Sequence, residues 1–333
     1  MKKYLFYVGI DVSKAKLDIN ILDSLTLKSE HFIIENNIES ISIFIKKLDT
    51  KVDKKCTLFC CENTGVYTNH LSSVLVKINL DLWIVPAIEI KKSKGISRGK
   101  NDKTDAKDIS YYSYRNIDKL KLYTFASLDI QKLKMLYTER EKMVKALMLI
   151  QATKESKEFT KKIVFKEVSQ INQTLVKSIK ISIHKIESKI KEVIKANDQL
   201  NKQSQLIRSI PGLGEQTSVY LIIATKGFTA FKTWRQFACY SGVAPFEHSS
   251  GSSVKGRTRV NHMADKKMKS LLQMCAMTTL KYDSQLKEYY NKKKVEGKNS
   301  MLVLNNIRCK LISRVFAVIN RETPYINTYK FAS

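Results

Sequence analysis

At 333 residues and 43% hydrophobic content, the chain is long enough for two or three globular units, each with a real core. Its 59 Lys and Arg residues against 31 Asp and Glu leave a formal charge of +28, which points to a polyanionic partner. The abundance of Lys, Ile and Asn throughout also fits a Lys-rich composition of low GC content. Six cysteines (Cys56, Cys60, Cys61, Cys239, Cys275, Cys309) form no C-x-x-C pair and read as buried free thiols in a reducing cytosol, which excludes a zinc ribbon and a disulfide scaffold. Asp11 interrupts the first apolar run before signal-peptide length, and no stretch approaches about 18 apolar residues, so the expectation is a cytoplasmic protein with no membrane partner.

In chain order, YLFYVGI, KLDINIL and HFIIE are short apolar or alternating runs separated by polar turns, the signal of an antiparallel meander. Ile38 to Leu48 has helical periodicity, TLFCCE reads as a buried strand, Tyr67 to Ile78 as a helix, and LDLWIVP as a strand stopped by Pro86. This alternation of strand and helix argues for parallel pairing after the meander. A helix from about Lys103 to Tyr114 follows.

From Leu128 the pattern changes. Leu133, Leu136, Met143, Leu147 and Ile150 recur at helical spacing among charged residues, and a second amphipathic helix from near Val164 carries Val168, Ile171, Leu175, Ile179, Ile186, Ile190 and Val193. The two predict a helical hairpin or a dimerising coiled coil. IRSIPGLGEQTSVYLIIA then places Pro and Gly in a turn between helices, where Gly212 and Gly214 allow backbone amides to approach a phosphate. This is the arrangement of a helix-hairpin-helix. Helices from Trp234 to Tyr240 and Lys266 to Leu280 flank a polar loop, FEHSSGSSVKGRTRV, and an apolar helix from Met301 to Ile319 closes the chain.

Four carboxylates stand where one site can collect them. Asp11 ends the first apolar run, Glu62 ends TLFCCE, and Asp102 and Asp105, three apart on a helix, share one face. Such a cluster repels itself and needs bound cations; an all-oxygen donor set suits Mg²⁺, and two ions about 4 Å apart clamp the attacking and leaving oxygens of a phosphoryl transfer. Asp18 and Asp108 are nearby acids expected to be solvated. In the polar loop Ser249, Ser250, Ser252 and Ser253 crowd around Gly251, and composition alone does not rank them. Lys100, Lys103, Lys255, Arg257 and Arg259 are candidate phosphate contacts, with His248 a weaker assistant to the serines.

YVGIDVSKAKLD, CCENTGVY and GKNDKTDAKDIS, followed by SIPGLGEQTS and HSSGSSVKG, together resemble the DEDD transposases of the insertion-sequence one-hundred-and-ten family, related to Piv-type DNA invertases. The resemblance covers nearly the whole chain. It implies an α/β plus α architecture: a RuvC-like ribonuclease-H fold over residues 1–120, a coiled-coil connector over 121–200, and a mainly helical transposase domain over 201–333. It places the metal ligands, and with them the catalytic acids, at Asp11, Glu62, Asp102 and Asp105, and a serine nucleophile at Ser250. It further implies a homodimer or homotetramer with a composite active site, donor and target DNA as substrates, and a structured guide, the bridge RNA, that pairs with both. A junction nuclease using water, and a non-catalytic nucleic-acid-binding protein derived from a transposase, are the rival functions.

Overall fold

The structure, a computed structural model, describes residues 2–48, 52–93, 101–152, 162–250, 254–260 and 264–327. They form two compact units, residues 1–125 and 126–333. The helices of residues 128–152 and 162–195 contribute to the core of the second unit.

The first unit is built on five strands, β1 (Phe6–Val12), β2 (Lys16–Asp23), β3 (Ser29–Glu35), β4 (Thr57–Glu62) and β5 (Asp81–Val85), in the order β3-β2-β1-β4-β5. The meander pairs antiparallel, and β1, β4 and β5 pair parallel. Both faces are covered, which is why β1 and β4 are almost continuously apolar. Val8, Ile10 and Val12 face one way, into a core shared with α1 (Ile38–Leu48) and α2 (Asn69–Lys77). Tyr7, Leu58, Cys60 and Trp83 face the other way, against α3 (Ala87–Ser93) and α4 (Asp102–Arg115). The short helix α3, directly after Pro86, is absent from the sequence reading.

Among the described residues the second unit is helical apart from one ribbon. α5 (Leu128–Ala152) and α6 (Lys162–Lys195) pack along each other within the chain, tied by Arg140 Nε to Glu187 Oε1 at 2.7 Å. Leu133, Tyr137, Ile190 and Ile194 enter the core, whereas Met148, Leu149, Ile171 and Leu175 are exposed. The side chains of Val164 and Val168 lie outside the described set. Next come α7 (Asp198–Arg208), α8 (Glu215–Ala224), α9 (Trp234–Tyr240), strands β6 (Pro245–Ser250) and β7 (Val254–Val260), α10 (Lys266–Tyr282), α11 (Ser284–Val295) and α12 (Ser300–Arg321). α12 buries Val303, Ile307, Leu311, Val315 and Val318 at helical spacing and packs on α7, α9, α10 and α11.

Two sequence expectations change here. The stretch expected as a polar loop is an antiparallel ribbon with an irregularity between Phe246 and His248. Cysteine burial is uneven: Cys60, Cys61 and Cys275 are buried, Cys56 and Cys309 are half-buried, and Cys239 is exposed.

Candidate active site

The acids of the first unit meet because of strand parity. Asp11 has the parity of Tyr7 and Gly9, and Glu62 that of Leu58 and Cys60, so both belong to the face that α4 covers. Ile10 pairs with Cys61 in the parallel ladder, which sets Asp11 and Glu62 at neighbouring strand ends. Across the antiparallel ladder Asp11 pairs with Asp18, and Asp18 has the parity of Asn20, whose side chain reaches α4 by donating to Ser110 Oγ at 2.7 Å.

Gly9 is what lets α4 lie so close. A Cβ built at this position would stand 2.2 Å from the Ser110 amide nitrogen and 2.3 Å from the Ala106 carbonyl oxygen. Only a residue without a side chain allows that approach. Asn101 caps the helix by accepting from the Lys103 N–H at 3.0 Å, and Asp102 and Asp105 stand in the first turn, on the stripe that continues into the buried Ala106 and Ile109.

The resulting field acts most clearly on Asp11. Its carboxyl is pushed up to about 6, first by burial and then by the negative charges of Asp105, Asp102, Glu62 and Asp18. Lys16 partly offsets that charge, with Nζ 2.8 Å from Asp102 Oδ2 and 3.0 Å from Asp18 Oδ2, and Asp102 foremost and Asp18 next hold its ammonium above the ordinary lysine range. Asp18, expected to be solvated, is buried and also meets His31 Nε2 at 3.1 Å; the sequence reading missed its place in the cluster, which the parity of β2 could have shown. Asp108 is half-buried on the next turn of α4. Among the described residues no three His, Cys, Asp or Glu side chains already form a ready-made metal nest. The donor chemistry, carboxylate oxygens converging on Asp11, nevertheless suits a hard divalent cation.

In the second unit, Ser250 ends β6 opposite Val254, Ser249 pairs with Lys255 and His248 with Gly256. Lys255, Arg257 and Arg259 take alternate positions along β7. Lys100, Ser252 and Ser253 lie outside the described residues, and Lys103 is exposed. The turn between α7 and α8 uses its two glycines differently. Gly212 has φ +89° and would set a Cβ 2.1 Å from Thr279 Oγ1, so packing on α10 requires glycine there whatever else the position does. Gly214 is exposed. Beside this turn lies a basic cleft of about 310 Å³, whose walls include Lys191, Lys195 and Arg208. These three were not singled out from sequence; the four-residue spacing of the lysines on α6, with Arg208 just before the turn, was the available signal.

Comparison with known proteins gives concordant matches. A DEDD-type IS110 transposase model matches residues 8–155, and the model described as the transposase IS116/IS110/IS902 family matches residues 204–291. Over 96% of its length the chain is 25% identical to a pilin gene-inverting protein of Moraxella bovis, covering 97% of that protein, with the same values for a pilin gene-inverting protein of Moraxella lacunata. It is also 26% identical, over 144 residues, to an uncharacterized 43.6 kDa protein of insertion element IS110 from Streptomyces coelicolor, covering 43% of this chain and 35% of that one.

Proposed function

Because the chain belongs to the IS110 family of transposases and is by that membership a DNA recombinase, we propose that it cuts and rejoins DNA strands through Ser250 as nucleophile, with Asp11, Glu62, Asp102 and Asp105 holding the metal. The observation that carries the metal half is the charge convergence on Asp11, whose proton affinity is raised first by burial and then by the other three acids of the tetrad. The strand order β3-β2-β1-β4-β5, with an antiparallel meander leading into parallel strands, supports a RuvC-like ribonuclease-H reading of the first unit.

In this mechanism the carboxylates bind Mg²⁺, which when bound would offset charge on the scissile phosphate and lower the demand for activating a hydroxyl. The Ser250 hydroxyl attacks the phosphorus, forming a phosphoserine bond as the P–O bond to the leaving deoxyribose breaks. Attack by a deoxyribose hydroxyl then reseals the strand and frees the serine. The phosphodiester energy is kept throughout. Inversion, for which the two Moraxella relatives are named, rejoins every strand it cuts, and that favours a covalent serine over a hydrolytic water.

Lys103, Lys255, Arg257 and Arg259, the Gly212 to Gly214 turn and the cleft of Lys191, Lys195 and Arg208 contact phosphates, and Lys100 joins them as a sequence-level candidate. Target choice is delegated to a guide RNA, and the exposed apolar residues Met148, Leu149, Ile171 and Leu175 of the helical hairpin suit a homo-oligomer. A denaturing gel tests the reaction. Protein, element-end DNA and RNA transcribed from the same ends yield a covalent protein–DNA adduct that requires Mg²⁺ and disappears in Ser250→Ala and Asp11→Ala; an adduct that survives Ser250→Ala removes this serine from the mechanism.

A further inference from the structure

The two ends of the serine ribbon close on a single carboxylate. α9 finishes at Tyr240, before β6, and α10 begins after Asp265, beyond β7. Asp265 donates its backbone N–H to the Tyr240 carbonyl at 2.9 Å. Its Oδ1 accepts the Met268 N–H at 2.9 Å, an ordinary helix cap. Its Oδ2 accepts two phenols, Tyr220 at 2.8 Å and Tyr240 at 3.2 Å.

A cap needs one oxygen and no phenol. Here two tyrosines from two other helices converge on the second oxygen, and each is itself held. The Tyr220 ring packs on Tyr137 of α5 with centroids 5.2 Å apart, and the Tyr240 ring stacks on Phe237 at 5.8 Å. On the incoming side, the Val243 carbonyl accepts from Asn305 Nδ2 at 2.7 Å and from Cys309 Sγ at 3.2 Å, which fixes the start of β6 to α12. A two-stranded ribbon is marginally stable alone, and among the described residues its attachments lie at its base. Hydrogen bonds from phenols to an ionised carboxylate are among the stronger ones available for that purpose.

We propose that Asp265, gripped by Tyr220 and Tyr240, is the positioning residue of the β6–β7 ribbon and sets where Ser250 is presented. Tyr220 lies on α8, the helix that follows the Gly212 to Gly214 turn, so the same clamp registers the ribbon against the helix pair read as a backbone grip. The proposal rests on Ser250 being the nucleophile only for its catalytic consequence; the clamp itself is a property of the free chain.

Two variants break the same bonds from opposite sides. Asp265→Asn keeps one oxygen for the cap and loses the second acceptor, whereas Tyr220→Phe with Tyr240→Phe removes both hydroxyls and leaves the carboxylate and both rings. In the full-length protein, each raises amide hydrogen exchange in residues 245–260 by roughly tenfold while α12 keeps its protection and the melting temperature holds. Each slows adduct formation on element-end DNA by roughly tenfold without weakening retention of that DNA, and combining the three substitutions is no worse than either variant alone. Unchanged exchange in the ribbon for both variants, or a uniform rise across α7 to α12, overturns the clamp. If Ser250→Ala still forms the adduct, the nucleophile is misassigned, and the exchange result continues to decide the clamp by itself.

Discussion

The acids of the first unit and the serine of the second are held by opposite structural means. Asp11, next to last in β1, and Glu62, last in β4, lie on central strands of a five-stranded sheet, and Asp102 and Asp105 open a helix laid against that sheet at Gly9. Every one of them inherits its position from a buried element. Ser250 stands at the end of a two-stranded ribbon whose attachments among the described residues are at its base. Groups that repel one another need a scaffold rigid enough to keep them together, because repulsion otherwise spreads them apart. The proposed nucleophile has no such conflict, and a ribbon can carry it as long as the base is fixed.

The sharpest way to break this contrast is Gly9→Val. The new side chain meets backbone atoms of α4 that cannot rotate away, so α4 lifts or the first unit unfolds, at a cost of more than about 3 kcal/mol. Adduct formation is lost, and hydrogen exchange rises across β1 and α4 while α10 and α12 remain protected. Equal loss of protection in both units would show that the acids and the serine do not rest on separate scaffolds.

Gly212→Ala is the counterpart in the second unit. It combines a clash with Thr279 and a φ of +89°, and costs about 2–3 kcal/mol, read as a lower midpoint in urea unfolding. Full stability in this variant would mean that α10 yields at Thr279.

A smaller effect is expected from pH. The folded Asp11 carboxyl titrates at about 6, above its value in an unfolded chain, so folding favours the protonated form. Its unfavourable contribution is absent at low pH, grows as pH rises from about 4 to about 6, and is then constant. The melting temperature of the metal-free protein has a component that falls over that window, and Asp11→Asn removes it. Near pH 6, Mg²⁺ binding releases protons, measurable as a buffer-dependent heat in calorimetry; a buffer-independent heat would place the metal away from Asp11. The smallest effect is that of Arg140→Ala, which breaks the half-buried pair with Glu187 between α5 and α6 and costs about 1 kcal/mol in thermal unfolding.

The first unit was the more legible half. Long apolar runs and helical spacing located its five strands and the helices α1, α2 and α4, because burial on both faces of a sheet leaves a strong pattern. α3 was missed because seven residues are too few to show a period. In the second unit, α11 was missed because its charged sequence buries only Leu286. The ribbon β6–β7 reads as a loop because Ser, Gly and basic residues carry no strong alternation. Its pairing is a matter of register, visible once Ser249 faces Lys255 across it.

By itself the sequence determined the chemical types and their parity: four carboxylates, two at strand ends and two in a first helical turn, and a serine cluster in a basic stretch. Period-two alternation is a local property, so the face occupied by Asp11 and Glu62 was decided within their own strands. Their meeting with Asp102 and Asp105 was not, because it depends on α4 docking at Gly9, a contact between residues about a hundred positions apart. The closure of the serine ribbon on Asp265 was likewise invisible, since Tyr220, Tyr240 and Asp265 come together only when three helices pack. Contacts distant in sequence leave no periodic trace along the chain, and only the tertiary structure decides them.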